Sequence, residues 1–247
     1  MYSTRNFKLS AIALLIAGVF TACSSDDSTT EISDEKGRLG IYAQASYSQN
    51  KSNDQHRATV VELSRFIVNI EEIELEYESM VGEDSFYGSD DEIELRGPFE
   101  LNLLSSEPIP IVNINIPRGV LEEVEFEFDK NGNQDSDLYN QSMRMEGTIN
   151  GVPFVFWHDF EEEIELEFDS DNSNGMIIDN ENTFLINFDL NFILDGTTSV
   201  DMSTATDGDA NGVIEISPRD NDGNRNLAEA IKQAIKNQID VFEDLYD

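Results

Sequence analysis

The chain has 247 residues, with 51 Asp or Glu against 15 Lys or Arg, a net charge of −36 and a single cysteine. Phosphate binding relies on clustered Lys and Arg, so this balance excludes nucleic acid as a partner, and it repels anionic membrane surfaces. One cysteine excludes an internal disulfide framework and multi-thiolate metal sites.

Taken in chain order, the N-terminus reads as a processing signal. Arg5 and Lys8 are the only charges before position 26, and an apolar-to-small run follows from Leu9 to Phe20. That run is too short to span a hydrocarbon core of ~30 Å as a helix. A basic start, a short apolar centre and a small residue at the cut describe a secretory signal peptide over 1–22. Phe20-Thr21-Ala22-Cys23 resembles a lipobox, with Phe20 where Leu is usual. The resemblance implies cleavage before Cys23, diacylation of its sulfur and anchoring to a membrane. Two acyl chains hold stably, at ~0.8 kcal/mol per buried CH₂. Loss of 1–22 leaves 13 basic against 51 acidic residues, a net charge of −38. Residues 23–36 carry too little apolar area to fold and form a disordered acidic tether. Ser24-Ser25-Asp26-Asp27-Ser28 also resembles the acidic export tag of Bacteroidota-type lipoproteins, which implies display on the outer face of the outer membrane.

From position 37 strand patterning dominates. Phe66, Val68 and Ile70 alternate with other residues, then Glu71-Glu72 shifts the phase and Ile73, Leu75 and Tyr77 continue opposite glutamates. One extra residue in a period-2 run predicts a β-bulge or a strand break. Further strands run through Phe99/Leu101/Leu103, Val112/Ile114/Ile116 and Val124/Phe126/Phe128. Asn150-Gly151 between two alternating runs predicts a type I′ hairpin. Ile164/Leu166/Phe168 and the longer run Phe184 to Leu194 complete the strands. Leu227, Ile231, Ile235, Ile239, Phe242 and Leu245 recur at helical spacing, predicting one amphipathic helix over 227–245, capped by Asn226. Its expected role is to cover a sheet edge or the open end of the fold. The expected fold is all-β, an antiparallel β-sandwich over 37–200, with an acidic loop and the helix (201–247) packed on it.

A family resemblance supports that fold. Gly37 to Ala43, Phe99-Glu100-Leu101-Asn102-Leu103-Leu104, Ile116-Pro117-Arg118-Gly119-Val120 and Phe184-Leu185-Ile186-Asn187-Phe188 occur in that order. The pattern resembles a widespread domain of unknown function in bacterial lipoproteins. The resemblance implies an immunoglobulin- or transthyretin-like sandwich over residues 37–197 and brings no catalytic residue with it.

Among candidate sites, Asp207-Gly208-Asp209-Ala210-Asn211-Gly212-Val213-Ile214-Glu215 is the most specific. Oxygen donors at positions 1, 3 and 5, Gly at 6 and an aliphatic at 8 match the start of an EF-hand-type loop. The predicted Ca²⁺ ligands are Asp207, Asp209, Asn211, the Val213 carbonyl and Glu215. Pro218 stands where the bidentate acid belongs, so Asp220 or Asp222 would have to supply it. The same residues also suit an Asp/Gly-rich turn in an acidic chain. Asp129/Asn131/Asn133/Asp135/Asp137 and Asp169/Asp171/Ser173 are weaker versions, expected to be solvated loops. His158 falls on the apolar face of its strand and reads as a hydrogen-bonded core residue, whereas His56 lies in a polar loop. Trp157, the single tryptophan, should point outward, under the helix or as a sugar platform.

No phosphate loop, His-x-x-x-His pair or nucleophile elbow is present, and paired carboxylates are inevitable among so many acids. The expected function is therefore not catalytic. It is a lipid-anchored, surface-exposed, calcium-assisted binding domain whose partner is a glycan or a protein. A structural envelope lipoprotein is the alternative, and a hydrolase a distant third. Outward glutamates opposed across strands should weaken the sheet, so both salt and Ca²⁺ should raise the melting temperature.

Overall fold

The computed structural model describes residues 36–48, 59–80, 92–170, 173–179, 181–194 and 200–243. The signal segment, Cys23, the tether as far as residue 35, His56, Asp171 and Leu245 lie outside the described residues. In chain order the strands are β1 (Lys36–Ser46), β2 (Val61–Met80), β3 (Glu92–Asn102), β4 (Ile109–Pro117), β5 (Gly119–Phe128), β6 (Met143–Ile149) and β7 (Val152–His158). They continue as β8 (Glu162–Glu167), β9 (Asp169–Ser170), β10 (Ser173–Asn174), β11 (Met176–Ile178), β12 (Glu181–Asp189), β13 (Ile214–Ile216) and β14 (Ile239–Glu243). Two helices, α1 (Leu190–Leu194) and α2 (Arg225–Lys236), complete the described regular structure apart from one 3₁₀ turn. None of the described helices is long and apolar enough to cross a membrane.

The fold is all-β, as the patterning predicts. One sheet runs β14-β12-β1-β4, and the larger one β11-β5-β2-β6-β7-β13, with β3 added on β2 and β8 on β5. Most pairings are antiparallel, but β1 runs parallel to β12 and β13 parallel to β7. The core lies between the sheets. Phe188 of β12 meets Phe66 of β2 at 5.6 Å between ring centroids and Phe128 of β5 at 6.3 Å, both edge to face. All three rings are almost fully buried, and burial of aromatic area on this scale dominates a core's energetics.

Strand β2 is the organiser. Along one edge it pairs first with β6 (Val61 to Val68) and then with β5 (Ile70 to Met80). Strand β3 takes the other edge over Ile67 to Glu76. The extra residue inferred from the sequence is Glu71. The register of β2 with both β3 and β5 slips between Ile70 and Glu72, which keeps Ile70 and Ile73 inward and Glu72 outward. A β-carbon on Gly97 would sit 2.6 Å from the Ile70 carbonyl, so the bulge requires glycine opposite it.

The hairpin forms as predicted: β6 and β7 pair around Asn150 and Gly151, whose φ angles are 52° and 81°. Both values belong to a type I′ turn. Gly151→Ala should lower stability by about 1 kcal/mol, because a β-carbon disfavours the left-handed region. Chemical denaturation reads this directly, and an unchanged midpoint would contradict the turn assignment.

Three expectations need correction. The C-terminal helix ends at Lys236, with Asn237 as its C-cap, and Ile239–Glu243 pair antiparallel with β12. The edge of β12 is open there, and pairing with it satisfies the backbone of this segment. Within 201–243, β13 and β14 each extend a sheet. The helix begins two residues early for an Asn226 cap: Asn224 is its N-cap, and that side chain bonds elsewhere. Likewise, the strand predicted to reach Leu194 stops at Asp189, whose carboxylate accepts the Phe192 N–H and starts α1.

Asn133, Asp135 and Asp137 are solvent-exposed, as expected, although residues 129–142 are not a free loop. They fold over the outward side of β2, where Asn69 donates to the Asp129 carbonyl (2.9 Å) and Asn131 to Glu100 (3.0 Å). Asn69, Asn131, Leu138 and Ser142 are buried there, because turns at Asn131 and Asn133 hold the backbone compact. The Asp169/Ser173 stretch contains a short ribbon in which β9 pairs with β10.

Candidate functional site

Two acidic constellations and one aromatic position arise from this fold. The first is the loop between Thr206 and Asn224. Asp207 accepts the N–H groups of Asn211 (3.0 Å) and Gly212 (2.9 Å), and Asn211 accepts that of Val213 (2.8 Å). Gly212 (φ 92°) and Ala210 (φ 59°) supply the left-handed backbone that turns the chain. Gly208 lies so close to Asp222 that a β-carbon would approach its carbonyl to 2.4 Å. Carboxylate oxygens of Asp207, Asp209 and Asp222 consequently converge, all within 4.8 Å of one another. One ion with Ca²⁺–oxygen distances of 2.3–2.6 Å can reach oxygens at that spacing.

The structure sorts the predicted ligands. Asp207 and Asp209 come together and Asn211 joins their hydrogen-bond network through its N–H and amide. The acid that completes the group is Asp222, not Asp220. Asp222 also accepts the N–H groups of Asp209 (3.1 Å) and Glu215 (2.7 Å). Asp220 spends its carboxylate on the backbone of Ser217, Gly223 and Asn224, a local turn. Glu215 is turned to the Trp157 indole N–H (3.0 Å) and the Ser217 hydroxyl. Val213 is exposed and contributes its N–H to the Asn211 turn.

Trp157 projects from β7 on the outward side, as expected, but Arg219 lies over its ring at 5.3 Å from the centroid. Arg219 is itself paired with Asp159. One face of the indole and its N–H are thus already engaged. His158 is buried and accepts the Asp159 N–H at Nδ1 (3.0 Å), in line with the core role read from the sequence. Burial, followed by the Lys232 charge, holds its pKa below the usual imidazole value.

The second constellation occupies the outward face of four neighbouring strands. Register places Arg96, Glu72, Glu127 and Glu163 in one row across β3, β2, β5 and β8. The next row is Glu94, Glu74, Glu125 and Glu165, and the third is Glu92, Glu76, Glu123 and Glu167. Twelve adjoining positions therefore carry eleven glutamates and one arginine. Adjacent strands lie about 4.8 Å apart, so the carboxylates form a two-dimensional array. Arg96 reaches Glu94 at 2.5 Å and Glu72 at 3.5 Å and is the one cation in the grid.

Such crowding opposes ionisation. The hydrogen bond between Glu74 and Glu92, with partial burial and the charges of Glu92, Glu125 and Glu76, pushes the Glu74 carboxyl up to about 8. Partial burial and Glu163 push Glu125 up to about 7. Glu123 and Glu127 are also raised, first by burial and then by neighbouring acids. Near neutral pH the array therefore retains protons, the alternative to a bound cation for reducing like-charge repulsion. Oxygens of Glu123, Glu125 and Glu165 lie within 4.8 Å of one another, a spacing one Ca²⁺ can bridge.

No family model, curated protein or solved structure matches the chain.

Proposed function

We propose that this chain is a lipid-anchored, surface-displayed binding domain that works in a calcium-loaded state, with the glutamate array as its interaction face. The observation that carries this reading is the registration of eleven glutamates into three rows over four strands. Directly opposed like charges cost a sheet stability, so a face built this way requires cations or protons in its working state. Divalent cations held by carboxylates retain open coordination positions, through which a hydroxylated or acidic partner can be bridged. The Asp207/Asp209/Asp222 loop adds a second calcium position that ties β13 and α2 together. The fold type we assign is the immunoglobulin- or transthyretin-like sandwich, anchored through Cys23 to the outer membrane. The partner class is a glycan or a protein.

Glycan arrays probed with the full-length chain in Ca²⁺ and in EDTA test this reading. Binding that disappears in EDTA and in a Glu125→Gln/Glu165→Gln variant is the expected result. Binding that survives both would place the interaction elsewhere on the molecule. Absence of binding to arrayed glycans would leave protein partners or the structural alternative. That second reading, an envelope spacer without a small ligand, is favoured by one observation: Arg219 already covers a face of Trp157. Anchoring has its own test. Cys23→Ser should move the protein from the membrane fraction to the soluble fraction, and retention in the membrane would overturn the lipid assignment.

A further inference from the structure

We propose that His158 is an acid-operated latch, which on protonation draws the Asp159 carboxylate away from Arg219 and loosens the cover on Trp157. The neutral ring is fixed by geometry. Its Nδ1 accepts the main-chain N–H of Asp159 at 3.0 Å, so that nitrogen cannot carry a proton without losing the bond. Two carboxylates stand just beyond contact: Asp159 Oδ1 is 3.9 Å from Nδ1, and Glu229 Oε2 is 3.7 Å from Nε2.

Both carboxylates are held by other cations in the neutral state. Asp159 pairs with Arg219, and Glu229 of α2 pairs with Lys232 at 2.8 Å. Lys232 is also bonded to Glu162 of β8 (3.3 Å), which in turn holds Lys236. From β6, the residue paired with His158 is the uncharged Met143. The groups acting on the ring are therefore Glu229 and Lys232 from α2 and Asp159 beside it, with Glu162 behind Lys232. A proton on the imidazole gives both near carboxylates a competing cation where a neutral ring stood, and each has less than 1.5 Å to travel to a charge-assisted bond of about 2.8 Å. Two packed arrangements result: Asp159 on Arg219 with Glu229 on Lys232, or both acids on the imidazolium. A bistable contact of this kind converts a local charge change into a movement of the attached segment.

The segment attached is specific. Arg219, released from Asp159, no longer has an anchor above the Trp157 ring. Trp157 is bonded through its indole N–H to Glu215, whose own N–H bonds Asp222. The latch thus connects α2 to Asp222 through His158, Asp159, Arg219, Trp157 and Glu215.

Trp157 is the single tryptophan and serves as the reporter. Its emission in the full-length chain, followed from pH 8 to pH 5, should change sigmoidally with a midpoint below the ordinary imidazole value of 6.5. The His158 Cε1–H resonance, titrated by NMR, should share that midpoint. His158→Asn should abolish the emission change. Asp159→Asn, a second variant that removes the link to Arg219, should lower the midpoint of the His158 resonance by about 0.5–1 pH unit and leave the emission no longer following it. Flat emission, a transition that survives in a folded His158→Asn variant, or midpoints that disagree between emission and NMR would overturn the latch.

Discussion

Millimolar Ca²⁺ should raise the melting temperature of the full-length protein by about 5–10 °C over the same buffer with EDTA. A site filled at about a hundred times its dissociation constant adds ~2.7 kcal/mol, and a chain of this size gains roughly 2–4 °C per kcal/mol. Both carboxylate groups should contribute, because their oxygens, within 4.8 Å, suit Ca²⁺ better than the shorter, octahedral Mg²⁺ shell. NaCl at matched ionic strength should recover a smaller part, since it screens the array without bridging it. Asp207→Asn/Asp209→Asn should remove the contribution of the loop and leave that of the array. Identical melting curves in Ca²⁺ and EDTA would show that neither group holds the ion.

In calcium-free buffer the protein should melt higher at pH 5 than at pH 8, the reverse of what ordinary paired carboxylates produce. Glu74 and Glu125 titrate at about 8 and about 7 in the folded chain, above the value of 4.5 for an isolated glutamate. Between those limits the folded state binds more protons than the unfolded state, so stability falls as pH rises. The gain is fully present below 4.5 and is lost as pH climbs through 7 and 8. Discounted for solvent screening, the four raised glutamates together amount to about 1–3 kcal/mol, or roughly 3–8 °C.

Two opposing contributions set the lower limit. His158, held below 6.5, disfavours the folded state as pH falls past that value. Glu229 and Asp201 are lowered, by Lys232 and by Ser203 respectively, and their contributions vanish in acid below the isolated carboxyl values. Stability should therefore peak near pH 5, by differential scanning calorimetry without calcium. Glu74→Gln should flatten the slope above pH 6. A melting temperature that rises steadily from pH 5 to pH 8 would contradict the protonated array.

Much of this fold is written in local sequence. The period-2 runs, the Glu71 bulge and the Asn150-Gly151 turn all depend on neighbours in the chain, and each formed where expected. The misplaced boundaries have a different origin. Ile235, Ile239 and Phe242 fit a helix by spacing, but β12 presents an unpaired edge there, and only the tertiary fold reveals it. Parallel pairing of β1 with β12 joins residues some 140 positions apart and leaves no local mark.

The candidate sites divide in the same way. Alternating Glu-apolar-Glu stretches are visible in four separate segments, yet alternation alone produces such stretches. What makes them an array is the alignment of Glu74 with Glu94 and Glu125, and of Glu125 with Glu165. That alignment is a property of strand order. In the aspartate loop, the choice of Asp222 over Asp220 follows from the close approach at Gly208 and from three backbone donors that hold Asp220 away.

We propose that cations replace protons on the glutamate face. Isothermal titration of Ca²⁺ into the full-length chain at pH 7, repeated in buffers of different ionisation enthalpy, measures that exchange directly. The expected result is Ca²⁺ binding accompanied by net proton release, lost in Glu74→Gln/Glu125→Gln and retained in Asp207→Asn/Asp209→Asn. Binding without proton release, or binding that disappears with the two aspartates alone, would contradict it.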